Sequence, residues 1–315
     1  MALVKKRYSI LLVLALCLFA LLAFVPFGSS ANPVAIRMTM DAGHAFAFIL
    51  LSGLLYLAVE PRGKWKAVMI TTIISILLIA VVEWVQPYVG RTASLADMQI
   101  GLLGALIAIS GMIVWRNLRH WQLRVAHGVL TVMVLSWVVL PVWNEWRALW
   151  LREQQFPVLG DFEHPLEQRL WKATGVAHGQ RTQGLLSDKH VVSGRGSLKV
   201  ETVKGSWSGV RYAAGDQNWQ GYQALSISLY NPGEGFNMNI RIDDGVIHSA
   251  RYSERYNGRF QIRNGQNTLL IPLAKIAAAP KKRSLDLGRI RKMTLFLNKK
   301  AQPQQFYLDN VHLVP

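Results

Sequence analysis

Five stretches of the chain, at 10–27, 42–59, 67–85, 98–115 and 125–143, are apolar and almost free of charge. Each approaches the ~20 residues that a helix needs to cross ~30 Å of hydrocarbon. No other feature restricts the fold as much, because a backbone inside a bilayer must satisfy its own hydrogen bonds. Lys5, Lys6 and Arg7 precede the first stretch and "GSSAN" follows it, as in a secretory signal peptide. Its apolar run exceeds the roughly 7–15 residues of such a segment, so it reads as a retained helix. The expectation is five membrane spans within 1–143.

Orientation follows from the basic residues. Lys5, Lys6, Arg7, Arg62, Lys64, Lys66, Arg116, Arg119 and Arg124 fall at one set of span ends, and only Arg37 and Arg91 at the other. Lys and Arg gather in cytoplasmic loops. The amino terminus is therefore expected in the cytoplasm of a multi-pass plasma (bacterial inner) membrane protein, with everything after residue 143 outside. Trp143, Trp146 and Trp150, spaced three and four apart, suit an interfacial helix or linker over 144–159.

The net charge is +17, and both halves are basic: 13 Lys and Arg against 6 Asp and Glu in 1–155, then 22 against 12. Beside a membrane, such an excess points to lipid headgroups or acidic glycans before nucleic acid. The single cysteine, Cys17, leaves no intramolecular disulfide and no cysteine metal site.

Polar residues concentrate at one expected membrane face. "DAGHAF" opens the second span, and "EWVQPYVGRTASLAD" ends the third. Asp41 and His44 share a helix face, as do Glu83 and Gln86, while Arg91, Ser94 and Asp97 lie in the following loop. Ionisable groups of both signs at one depth are expected to pair, since burying one alone costs several kcal/mol. One reading makes them a ligand site, with His44 and Asp41 or Glu83 as an acid–base pair and Arg91 holding a phosphate or carboxylate. The other makes them a polar lock between helix ends. These motifs, over about 8–115, resemble the VanZ-like membrane proteins: Asp41, His44, Glu83, Gln86, Arg91, Ser94, Asp97 and Gly104 align in order. Gly101 stands where that family has Asn. Founding members of the family are associated with low-level glycopeptide-antibiotic resistance, and the resemblance implies no particular reaction. In the fourth span, Gly101/Ala105 and Gly104/Ala108 are small pairs suited to close helix packing.

From residue 160 to 315 the texture becomes short alternating runs broken by Gly, Asn, Asp and Pro, which predicts antiparallel strands. "ALSISLYNPG" puts Leu225, Ile227 and Leu229 on one face. "NMNIRIDDG" puts Met238, Ile240 and Ile242 inward, with Asn237, Asn239, Arg241 and Asp243 outward. "RFQIRNGQNTLLIPL" predicts a hairpin turning at Asn264-Gly265. Arg251, Arg255, Arg259 and Arg263 recur every four residues, but in a strand-and-turn context they are given no common face. The fold expected is an all-β sandwich. The runs "SGRGSLKVE", "NWQGYQALSISLYNP", "NIRIDD", "ERYNGRF" and "YLDNVHL" resemble the galactose-binding-like jelly rolls of carbohydrate-binding modules. That resemblance implies a glycan face, with Asn237, Asn239, Arg241 and Asp243 bonding hydroxyls and Trp207, Trp219 and Tyr256 stacking on sugar rings. Such domains sometimes carry a structural calcium; Glu163 and Asp309 stand at comparable places, two carboxylates where calcium takes roughly six to eight oxygens. No other cofactor is implied.

The expected molecule is thus a membrane protein whose external β-domain binds polysaccharide and presents it to the polar cluster. An enzyme or transporter acting on lipid-linked glycan is the first alternative, and a scaffold whose β-domain binds protein the second. Oligomeric state is open.

Overall fold

A computed structural model describes residues 33–89, 94–117, 120–245 and 251–315. The expected first span and Arg91 lie outside the described residues. The chain divides into two compact units, Met1–Trp143 and Asn144–Pro315.

The first unit is helical. Its helices are α1 (Pro33–Val59), α2 (Lys64–Val85), α3 (Leu95–Asn117) and α4 (Trp121–Gln155), the last running on into the second unit. Among the described residues, four helices are long and apolar enough to cross a membrane. Their pattern inverts that of a water-soluble bundle. On α2, Met69, Ile73 and Leu77 are exposed while Thr71 and Ser75 are buried. The Ser75 hydroxyl meets that of Ser52 at 2.8 Å. Apolar side chains facing outward and small polar ones facing neighbouring helices suit lipid surroundings, where packing and interhelical hydrogen bonds hold helices together. Small residues permit the closest approach: a Cβ added at Gly104 would lie 2.3 Å from the Ala45 carbonyl oxygen. Only glycine lets the backbones of α1 and α3 meet there.

The second unit is a two-sheet sandwich. One sheet runs β11 (Gly265–Pro272), β8 (Ala224–Asn231), β13 (Gln305–Val314), β6 (Ser197–Glu201), β5 (Gln183–Ser187), with β1 (Val158–Gly160) also on β13. The other runs β10 (Tyr256–Ile262), β9 (Phe236–Asp244), β12 (Ile290–Leu297), β7 (Ser208–Tyr212), β2 (Trp171–Thr174). Both are antiparallel throughout. A short ribbon, β3 (Val176–Ala177) with β4 (Gln180–Arg181), stands apart. Leu225, Ile227 and Leu229 from one sheet meet Met238, Ile240 and Ile242 from the other in a single core. The period-two alternation read from the sequence is what fills it. Ala148 of α4 is buried in the same core, and the Arg152 guanidinium donates to the Ala213 carbonyl at 3.0 Å. The end of α4 is therefore part of the sandwich's packing.

The hairpin expected at Asn264-Gly265 is not one. β10 pairs with β9 and β11 with β8, so the turn carries the chain from the edge of one sheet to the edge of the other. Gly265, at φ +83°, supplies the left-handed residue for that crossing.

Candidate functional site

The two outer faces of the sandwich differ in access. Over the β8–β13 sheet lies the segment 188–196. His190 stacks on Tyr230 at 3.8 Å, and the Asp309 carboxylate accepts the N–H groups of Val192 and Ser193 at 2.6 and 3.0 Å. The outward Ser226 and Ser228 are buried. Glu163 fastens the same segment, accepting the N–H groups of Arg195 and Gly196. These hydrogen bonds hold the Glu163 carboxyl below its ordinary range, whereas burial pushes that of Asp309 up. Glu163 and Asp309, the pair expected at a calcium, thus both fasten the segment 188–196. N–H groups point at both carboxylates with their positive ends, and no group of three or more His, Cys, Asp or Glu with metal-holding geometry occurs among the described residues.

The outer face of the other sheet carries a different set. Register fixes one row across five strands: Asn257, Arg241, Thr294, Arg211 and Lys172. A second row holds Arg259, Asn239, Phe296, Gly209 and Thr174. Asp243 and Lys292 form a third pair. Arg241 forks onto Asp243 at 2.7 and 2.8 Å. Trp207, just before β7, is 49% exposed and packs edge-on against Phe296, with centroids 5.6 Å apart. Beside the start of β10, Tyr252 is exposed with the Arg255 guanidinium over its ring.

Of the residues expected on a glycan face, Trp207, Asn237, Asn239 and Arg241 stand on this surface. Asp243 also lies there but is buried beneath Arg241. Trp219 and Tyr256 are corrections. Trp219 is fully buried, its indole N–H pointing to the Gln217 amide oxygen at 3.5 Å. Tyr256 is 2% exposed and faces the core opposite Ile242. Neither ring offers a face to a ligand. Arg211, Lys292 and Phe296 belong to this face as well, and alternation, which fixes sides but not neighbours, does not join them to it.

The helical unit gathers its own polar residues. His44, Glu83, Gln86 and Asp97 are all buried. They adjoin the layer where Phe48, Val82 and Met98 pack together. Glu83 accepts the Ser94 N–H at 2.8 Å, and His44 Nδ1 lies 3.0 Å from the Met40 carbonyl oxygen. Asp41 and Ser94 are half-buried. Neither the oxygen nor the nitrogen of the Gln86 side-chain amide has a hydrogen-bond partner among the described residues. At Gly101, an added Cβ would lie 3.1 Å from the Phe48 ring, so phenylalanine occupies the room that an asparagine side chain would need.

No family model and no curated protein matches this chain. The resemblance to VanZ-like proteins therefore rests on motif residues alone. Among solved structures, a Family 11 carbohydrate-binding module from Clostridium thermocellum, in complex with a beta-1,3-1,4-mixed-linked tetrasaccharide, is 17% identical with a TM-score of 0.41. The match covers 50% of this chain and 94% of that one. The CBM22-1 xylan-binding domain of Paenibacillus barcinonensis Xyn10C is 13% identical with a TM-score of 0.30, over 46% of this chain and 85% of that one.

Proposed function

We propose that this is a membrane-anchored glycan-binding protein, whose β-sandwich holds saccharide on the outer face of the β10–β9–β12–β7–β2 sheet. The observation that carries this is the open face itself. An exposed Trp207 braced by Phe296 lies beside Asn239 and Arg241, which offer an amide and a guanidinium in adjoining rows. Aromatic rings cover the apolar faces of sugars while amides and charged groups bond hydroxyls. Four apolar helices supply the anchor. The basic residues at one set of loop ends support a cytoplasmic amino terminus and an external sandwich.

The test is binding of the detergent-purified chain to a panel of envelope polysaccharides and peptidoglycan fragments. Trp207→Ala and Asn239→Ala are expected to weaken binding at least about tenfold, the value of roughly 1.4 kcal/mol, with an unchanged thermal midpoint. A folded protein that binds nothing in the panel overturns the proposal.

Gln86 favours a second role for the helical unit. A fully buried amide without a hydrogen-bond partner among the described residues, three residues along the chain from the buried Glu83, suits a polar ligand entering from the membrane face. In this reading the VanZ-like cluster handles a lipid-linked glycan or another envelope precursor. His44→Ala and Glu83→Gln then abolish function in cells while glycan binding by the sandwich persists. Loss of both together, or of neither, counts against it.

A further inference from the structure

The glycan face is also unusually cationic, and the charges are not explained by folding. Arg211 stands directly opposite Lys172 on the neighbouring strand. Like charges opposite one another across a sheet weaken it. Lys172 is offset by Glu145, whose carboxylate lies 2.9 Å from its ammonium. Arg211 has no ion pair of this kind among the described residues, nor do Lys292 and Arg259. All eighteen Asp and Glu of the chain are among those residues. Hence no carboxylate side chain elsewhere in the chain remains to be found as their partner.

Around Lys292 the charged neighbours are Arg241, Arg211 and Arg255, against the single carboxylate of Asp243. Partial burial, and then the neighbouring guanidinium groups working against Asp243, hold the Lys292 ammonium below its ordinary range. Burial also lowers Arg255, with Arg241 adding to it. Asp243 is itself taken by the fork of Arg241, which leaves Arg211 and Lys292 on this face with their charge in excess. A carboxylate delivered from outside would relieve that crowding, and guanidinium forks suit its planar geometry.

Resting on the glycan reading above, we infer that the ligand is an anionic polysaccharide of the uronic-acid kind, with sugar carboxylates seated between Arg211 and Lys292. Trp207 and Phe296 take the ring of a neighbouring residue. Lys292 and Phe296 are four residues apart along β12, about 13 Å in an extended strand. That separation leaves room for more than one sugar between the charged and aromatic ends. Asn239 and Asn257 are interleaved with the cations, which suits the hydroxyls of a sugar as well as its charge.

The experiment compares two forms of one backbone, polygalacturonate and its fully methyl-esterified form, on the detergent-purified full chain. The acid form is expected to bind at least about tenfold more tightly. Arg211→Gln and Lys292→Gln should each remove most of that preference, while Arg211→Lys retains part of it. Lys189→Gln, which removes an exposed charge from the segment over the other sheet, should leave it unchanged. Equal affinity for the two forms overturns the anionic inference and leaves the glycan reading standing. Binding of neither, together with no binding across the polysaccharide panel, sinks both. A single-stranded DNA oligonucleotide that binds as tightly as polygalacturonate overturns the inference too, because the face would then be a general polyanion surface.

Discussion

Single atoms decide the fit at several positions. Gly104 is one: Gly104→Ala drives a methyl into the Ala45 carbonyl, and α1 and α3 must separate. A loss of about 1–3 kcal/mol is expected, read as a lower thermal midpoint in detergent, while Ala108→Gly should be milder. The small-residue spacing in the fourth span made this contact legible in the sequence. Trp219 was not legible, since an alternating pattern does not say on which side of the core a loop tryptophan closes. Glu167 gave no sequence signal at all. It is buried, with its carboxylate accepting the N–H groups of Asp161, Phe162 and His164. Burial, with the Asp161 carboxyl beside it, pushes Glu167 up to about 7 against those hydrogen bonds. The folded state thus keeps a proton that the unfolded chain releases near its ordinary value of 4.5. Stability must therefore fall as pH rises through that window and level off above it. Thermal midpoints of the full chain between pH 4.5 and 8 should show this decline, and Glu167→Gln should flatten it.

Elements were easier to read than their partners. Alternation placed β8 and β9, because buried and exposed positions repeat every second residue. It could not say that Asn264-Gly265 bridges two sheets, since the same turn chemistry serves a hairpin and an edge crossing. The spacing of Arg255 and Arg259 shows the same limit in reverse. Four residues apart is one face of a helix, but it is equally one face of a strand. Arg259 accordingly stands on the outer face with Asn239, just along from Arg255. The segment 188–196 is an element without regular structure, pinned by two carboxylates. Glu163→Ala should speed hydrogen exchange at the Arg195 and Gly196 amides, and Asp309→Ala at those of Val192 and Ser193. Unchanged protection in both variants would mean that the His190–Tyr230 stack suffices to hold the segment.

For the whole molecule, the division into an apolar helical half and an alternating β half was legible from hydropathy alone, and the structure has a unit for each. The candidate face was less legible. It is assembled from five strands whose order is β10-β9-β12-β7-β2, so neighbours in space are far apart in the chain. A row such as Arg241, Thr294, Arg211 exists only once the register is known. That row also reaches beyond its own contacts. Screening confines a charge to about 8 Å at physiological ionic strength but to about 30 Å in 0.01 M salt. The Lys292 and Phe296 ends of the face, about 13 Å apart in an extended strand, are therefore electrically separate in the first medium and share one field in the second. Dilution of the surroundings should quicken the capture of an acidic polymer through long-range attraction, while each bound sugar is held by the same few side chains as before.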